Sequence, residues 1–398
     1  MTIEKAAGSL LRTRGGEAQG RVTFIELFFD LVFVFAVTQL SHGLAEHLTI
    51  MGAVRVALIF IAVWWIWIST SWVTNWLDPD RVPVRLMLLA LMFAGLVLSI
   101  SIPSAFESAA LPFALVLVAL EIGRSGFMLW ALRKDRPRNR RNFQRIILWQ
   151  MACALFWLAG ALAGEEMQLP LWGVAVALTW AAPAAGFYVP GLGRSTTGDW
   201  DVDGHHMAER CSLFIIIALG ESILVTGSAM SGHLAAGWLP FVTTFVGSVA
   251  MWWIYFDTGA ERGSHRIASD VDPGRLARLA YTYLHLPIVA GIIVVAVGDE
   301  LVLAHAHGEM TPTVAIVMIG GPALYILGTL LFKTTIAARP PLSHMVGLGL
   351  LIALSFLALR LDPLHLSAAT TAVLLQVAIW EAISLRRGMA KPAGSSIL

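Results

Sequence analysis

Phe24-Ile25-Glu26-Leu27-Phe28-Phe29-Asp30-Leu31-Val32-Phe33-Val34-Phe35-Ala36 is apolar at every position except Glu26 and Asp30. The run extends over 23–46, and about 20 apolar residues of helix suffice to cross a bilayer core of roughly 30 Å. Its two acids are four apart, so a helix carries them on one face, as an acidic stripe at one end of a span. Stretches of the same character recur at 51–77, 83–103, 108–132, 143–164, 168–190, 207–230, 237–258, 276–299, 310–332, 341–360 and 364–385, most of them separated by Pro, Gly or clustered charge. The pattern predicts an all-α polytopic membrane protein of about twelve transmembrane helices.

Composition requires the same class. The 398 residues are 57% hydrophobic and 13% charged, with a mean hydropathy of +0.74. Soluble chains are about a quarter charged, so an ordinary soluble fold is excluded. The net charge of +1 supplies no electrostatic drive toward nucleic acid, and none is expected as a partner. Cys153 and Cys211 are too few for a disulfide framework. The polar stretch Met1 to Arg21 predicts no cleaved signal peptide.

With the N-terminus inside, nearly every Lys and Arg falls in an inner segment, including the run from Arg133 to Arg145; Arg55, Arg360 and the intramembrane Arg124 are the exceptions. Both termini are therefore expected in the cytoplasm. The halves also correspond: Trp64-Trp65-Ile66-Trp67 with Trp252-Trp253-Ile254-Tyr255, Glu26 with Glu209, and Ala94-Gly95 with Ala290-Gly291. These matches predict a parallel 6+6 repeat. Its expected parts are a cytoplasmic segment 1–22, a six-helix repeat 23–190, a linker 191–206, a second repeat 207–385 and a tail 386–398. The tryptophans Trp64, Trp65, Trp67, Trp72 and Trp76 read as packing or interfacial residues, and Gly160-x-x-x-Gly164 as a helix-packing motif.

Ionisable residues within spans are costly and mark pathways or partners. Glu26, Asp30, Glu209, Glu221, Asp257 and His285 are the candidates for a transport or ion pathway, Glu221 because it lies several turns into the seventh span with no cation within a helical turn. Glu121 and Arg124, three apart, read as an intramembrane ion pair. His205, His206 and Glu209 offer zinc-type donors at the membrane surface, as an alternative with a metal ion as cofactor. Asp199-x-Asp201-x-Asp203-Gly204 opens like a calcium loop but has Arg210 where the closing Glu belongs. His305, His307 and Glu309 are expected in a solvated outer loop. No phosphate loop, dinucleotide fingerprint or nucleophile elbow is present, which disfavours an enzyme.

Thr23 to Leu40, Thr-Phe-Ile-Glu-Leu-Phe-Phe-Asp-Leu-Val-Phe-Val-Phe-Ala-Val-Thr-Gln-Leu, resembles the bacterial low temperature requirement protein A (LtrA) family, and His206 to Glu221 looks like that family's second signature, with Cys211-Ser212 in place of its Phe-Gly. The resemblance implies a polytopic bacterial membrane protein of the inner membrane. The pattern Phe28, Asp30, Val32, Phe33, Ala36, Thr38 is also similar to the first-helix signature of endolysosomal-type potassium channels, with Phe29 where that signature has Ser. The expected function is transport of a cation, proton or small solute. A channel, a membrane metal enzyme or sensor, and a scaffold without substrate are the alternatives.

Overall fold

The structure is a computed structural model that describes residues 9–12, 21–133, 137–200, 202–232, 238–257, 273–337 and 339–389. Among these residues the chain is helical, with isolated β-bridges at Leu11–Leu77 and Val189–Gly193 and no strand. The main helices are α1 (Phe24–Glu46), α2 (Ile50–Trp76), α3 (Val82–Ser101), α4 (Ala110–Ala131), α5 (Pro137–Leu162), α6 (Glu165–Ala184), α7 (Gly204–Gly232) and α8 (Trp238–Phe256). There follow the short α9 (Pro273–Ala277), a π-helical turn Arg278–Tyr283, α10 (His285–Ala304), α11 (Pro312–Ala337), α12 (Leu342–Ser355) and α13 (Pro363–Met389).

A helix lies on each of the twelve expected spans, but ten of the described segments are long and apolar enough to cross a membrane. The other two have physical reasons to fall short. α12 has 14 residues, about 21 Å of helix against the roughly 30 Å required. α6 opens on Glu165, Glu166 and Gln168 and carries Pro170 and Pro183 within it. Lipid-facing character shows on the outer surfaces, where Phe24 is 91%, Phe93 72% and Ile316 71% exposed. Large apolar side chains on the outside of a helical bundle mark contact with hydrocarbon rather than water, so the protein is a multi-pass membrane protein.

Helix starts follow local chemistry. Glu26 returns its carboxylate to the Thr23 N–H at 2.9 Å, which caps α1, and Thr49 Oγ1 accepts the Gly52 N–H at 3.0 Å to cap α2. Gly164 has φ +81° and ends the α5–α6 turn as the N-cap of α6, so Gly160-x-x-x-Gly164 is not a two-helix packing face. Gly160 alone serves packing: a Cβ there would meet Trp172 of α6 at 2.5 Å.

The chain forms two compact units. The first comprises residues 1–217 with 264–282, and the second 218–263 with 283–398, so α7 begins in one and ends in the other. In the first unit α1 packs on α2 and α3, α3 on α4, α4 on α5 and α5 on α6. Its core holds two aromatic clusters, Trp64–Trp67–Phe214 and Phe113–Trp157–Trp172. In the second unit α10 lies closest against α11, and α13 packs on α8 and α12. The α10–α11 approach depends on glycine: an added Cβ at Gly291, Gly321 or Gly328 would come within 2.5, 2.8 and 2.8 Å of the backbone of Tyr325, Val295 and Ile288.

Several cations assigned to inner loops by sequence are buried. Arg145 donates to the Leu192 carbonyl and to Asn142, tying the α6–α7 loop down, whereas Arg133 lies over Trp130. Arg210 and Lys333 are buried as well. Lys134 to Arg136, between Arg133 and Arg145, lie outside the described residues, as do 1–8, most of the expected tail 386–398, and Asp201 of the calcium-like run.

Candidate functional site

The acidic stripe of α1 is the centre of a charge-balanced knot in the first unit. Asp30 Oδ1 receives Arg210 Nη2 at 2.8 Å and the Trp67 indole N–H at 2.7 Å. Arg210 also donates Nη1 to the Glu26 carbonyl at 2.8 Å and contacts Ser71 Oγ, while its guanidinium lies over the rings of Phe29 and Trp67. Glu26 receives Arg12 Nη2 at 2.8 Å and, on its other oxygen, His206 Nε2 at 2.8 Å. Asn75 Oδ1 accepts the Asp203 N–H, which turns its Nδ2 toward His206 Nδ1 at 3.3 Å; with Nδ1 accepting from Asn75, the ring proton is assigned to Nε2, toward Glu26, and Arg12 Nη2 lies 3.2 Å from the same nitrogen. Two carboxylates thus face two guanidiniums and an imidazole. Among the described residues Asp30 Oδ2 is buried without a hydrogen-bond partner, an open acceptor in the knot.

Glu209 does not join it. Its Oε2 caps the Val22 N–H at 3.0 Å, and His205 is exposed while His206 is buried, because adjacent residues on a helix point apart. Asp203 and Asp199 are used as caps, for the His205 and His206 amides and for the Thr196 amide. His205, His206 and Glu209 therefore do not converge, and among the described residues no group of three or more His, Cys, Asp or Glu is arranged to hold a metal.

Glu121 has a different setting. It is 3% exposed and lines a cavity of about 130 Å³ in the first unit, whose wall includes Trp65, Trp72, Trp149, Cys153 and Thr179. Arg124, on the same wall, directs Nη1 to the Ile66 carbonyl at 3.1 Å and to Thr70 Oγ1 at 3.2 Å rather than to Glu121. The expected ion pair is thus a neighbouring pair without a direct salt bridge: α2 offers Arg124 acceptors, and Glu121 stays on the cavity wall. Loop residues Phe187, Thr197 and Trp200 and the mid-helix Glu121 belong to the same wall, so the cavity reaches from a loop region into the helices.

The second unit has its own buried polar groups. Glu221 is 2% exposed, and its neighbour Ser222 donates to Asp299 Oδ2 at 2.5 Å and lies 2.9 Å from Ser248 Oγ. His285 Nε2 meets the Tyr255 hydroxyl at 2.8 Å. Lys333 Nζ pairs with Glu381 at 2.6 Å and donates to the Ile254 carbonyl. Asp257 is exposed at the end of α8. His307 and His365, both exposed, hydrogen-bond the two oxygens of Asp362. Slight burial pushes the Asp362 carboxyl up, but those hydrogen bonds outweigh it and bring the pKa down to about 2.

Sequence reasoning overlooked Arg12, Asp299, Lys333 and Glu381. Arg12 falls in a polar lead segment, and Asp299 and Lys333 stand beside expected loops. For Asp299, Lys333 and Glu381 the available signal was that each lies within or next to an apolar run, where an ionisable residue needs a partner; Arg12 carried no such signal.

The family model described as "Bacterial low temperature requirement A protein (LtrA)" matches residues 21–379. A protein of Rhizobium meliloti (strain 1021) described as "Uncharacterized protein RA0937" is 40% identical over 370 residues, covering 92% of this chain and 90% of that one. No solved structure matches the chain. The matched region holds the α1 stripe, the Glu121 cavity wall from Trp65 to Thr282, and the start of α7 with His206 and Arg210, and the chain belongs to the bacterial low temperature requirement A family.

Proposed function

We propose that the protein transports a small solute, cation or proton, and that Glu121 stands on the solute's route. The observation that carries this reading is a buried carboxylate without a direct salt bridge, on the wall of a 130 Å³ cavity inside membrane-length helices. A carboxylate in that setting costs several kcal/mol unless a ligand, a proton or water compensates it, so its presence there points to use. The knot of Glu26, Asp30, Arg210 and His206 is assigned a structural role, because its charges already compensate one another. Glu221 and Asp299 are assigned to the route in the second unit.

The topology that goes with this function has twelve crossings with both termini in the cytoplasm, in the inner membrane. The sidedness of Lys and Arg supports it, and the matched tryptophan and glycine pairs support a duplicated six-helix origin. α6 and α12 then cross with help from their flanking turns.

The test is flux into liposomes that contain the purified chain, read by an internal pH-sensitive dye and by tracer ions, beside Glu121→Gln and Glu221→Gln. Loss of flux with unchanged yield and unfolding midpoint is the expected result. Flux that persists in Glu121→Gln, or wild-type liposomes as tight as empty ones, refutes the reading. Conductance without a coupling ion would identify a channel.

A further inference from the structure

The Glu121 cavity has a wall chemistry specific enough to name a ligand class. Trp65, Trp72, Trp76, Trp149, Trp200 and Phe143 contribute aromatic surface to one space. In the sequence Trp65, Trp72 and Trp76 read as packing or interfacial residues; in the structure Trp65 and Trp72 are only half-buried and both line the cavity. Aromatic faces attract cations, best of all weakly hydrated ones such as methylated ammonium groups, and a nearby carboxylate adds to the attraction. Glu121 supplies that carboxylate.

A plain cation leaves part of the wall unexplained. Arg124 and Arg278 also line the cavity, and each has a committed Nη1: Arg124 to Ile66 and Thr70, Arg278 to the Pro183 carbonyl at 2.8 Å. One carboxylate against two guanidiniums gives the wall a net positive charge, which opposes a simple cation and is matched by a ligand that brings a carboxylate of its own. The volume agrees in scale, since cavities of about 150 Å³ admit benzene-sized molecules, and this one is about 130 Å³. We propose that the cavity binds a small zwitterion with a methylated ammonium group and a carboxylate, the ammonium among the tryptophans beside Glu121 and the carboxylate on a guanidinium, Arg278 being the nearer to the loop end. This deepens the transport reading and rests on it for the cavity's purpose, while the binding itself is measurable without flux.

The experiment titrates the full chain in lipid nanodiscs, by tryptophan fluorescence and calorimetry, with three probes. Trimethylglycine carries both charges, 3,3-dimethylbutanoate has the same shape without the cation, and choline lacks the anion. Trimethylglycine should bind saturably and at least about tenfold more tightly than either analogue, a difference of about 1.4 kcal/mol. Glu121→Gln should weaken trimethylglycine and choline but not 3,3-dimethylbutanoate, with Glu121→Asp recovering part of the loss. Arg278→Gln should weaken trimethylglycine and 3,3-dimethylbutanoate but not choline. A merely structural role would move all three probes together. Equal binding of trimethylglycine and 3,3-dimethylbutanoate, or no saturable binding of any probe by the folded wild type, overturns the proposal. Binding without flux would preserve the site and refute transport; flux that depends on Glu121 without probe binding would do the reverse.

Discussion

Replacing Arg210 with Met tests whether the buried knot holds the first unit together. The guanidinium is fully buried and makes a 2.8 Å ion pair with Asp30, a 2.8 Å hydrogen bond to the Glu26 carbonyl and contacts with Ser71. Hydrogen bonds to charged groups contribute about 1.5–3 kcal/mol each, and removal of one partner from a buried pair costs about 3–5 kcal/mol because the other charge is left uncompensated. Asp30 in Arg210→Met would keep only the Trp67 N–H, its Oδ2 already lacking a partner. The expected loss is therefore about 3–5 kcal/mol, a fall in the folded-to-unfolded ratio of at least about a hundredfold. Reversible unfolding in mixed micelles, followed by tryptophan fluorescence, measures it. Removing both charges, in Arg210→Met with Asp30→Leu, should recover at least about 2 kcal/mol, since a buried pair replaced by apolar side chains is often close to neutral. Strict additivity of the two changes, or a loss below about 1 kcal/mol for Arg210→Met, would refute the assignment of the knot as a structural tie.

His206→Phe leaves Glu26 Oε1 and Asn75 Nδ2 without their mutual bridge and should destabilise by about 1–3 kcal/mol, with His206→Gln recovering part of this because an amide can both donate and accept there; equal losses in the same unfolding assay would contradict the tautomer assigned to the ring. Gly291→Ala places a methyl 2.5 Å from the Tyr325 backbone, so α10 and α11 must separate, at a cost of about 1–3 kcal/mol, whereas Gly173→Ala, with nothing within 4 Å, should be neutral or slightly stabilising. The depressed Asp362 carboxyl contributes stability that is fully present above its unfolded pKa of 3.8 and is lost as pH falls toward about 2, so the wild type should lose its advantage over Asp362→Asn across that interval; parallel profiles of unfolding midpoint against pH would show that the two histidines do not hold it.

The long apolar runs made the helices legible, because lipid forces every backbone polar group into helical bonds and leaves a run of nearly uniform hydropathy behind. Helix ends were harder to read. Gly164 looked like the second half of a packing motif, yet its φ of +81° makes it a turn, and no pattern of small residues distinguishes the two. At the site, the i, i+4 spacing placed Glu26 and Asp30 on one face, but their partners could not be read: His206 lies 180 residues from Glu26, and a contact of that range leaves no periodic trace. The positive-inside pattern counts Arg210 and Lys333 among the inner-segment cations, which hides that their charges are balanced inside by Asp30 and Glu381.

The two kinds of buried acid in the first unit illustrate why counting intramembrane charges does not identify a pathway. Burial of Glu26 is compensated by Arg12 of the lead segment and His206 of α7, and burial of Asp30 by Arg210 of α7 and Trp67 of α2, so their energetic effect is to fix α1, α2, the start of α7 and the lead segment against one another. Neither has to change state for that purpose, and a solute could displace those partners only against several kcal/mol. Glu121 has Arg124 three residues away, but α2 holds that guanidinium through Ile66 and Thr70, so attraction between the two is felt without closing a contact. A carboxylate kept near a cation but not joined to it can exchange an external partner at a smaller cost than one in a closed pair. On the transport reading proposed above, residues that build the protein and residues that work in it are separable by what completes each charge, within the chain for the first and from outside it for the second.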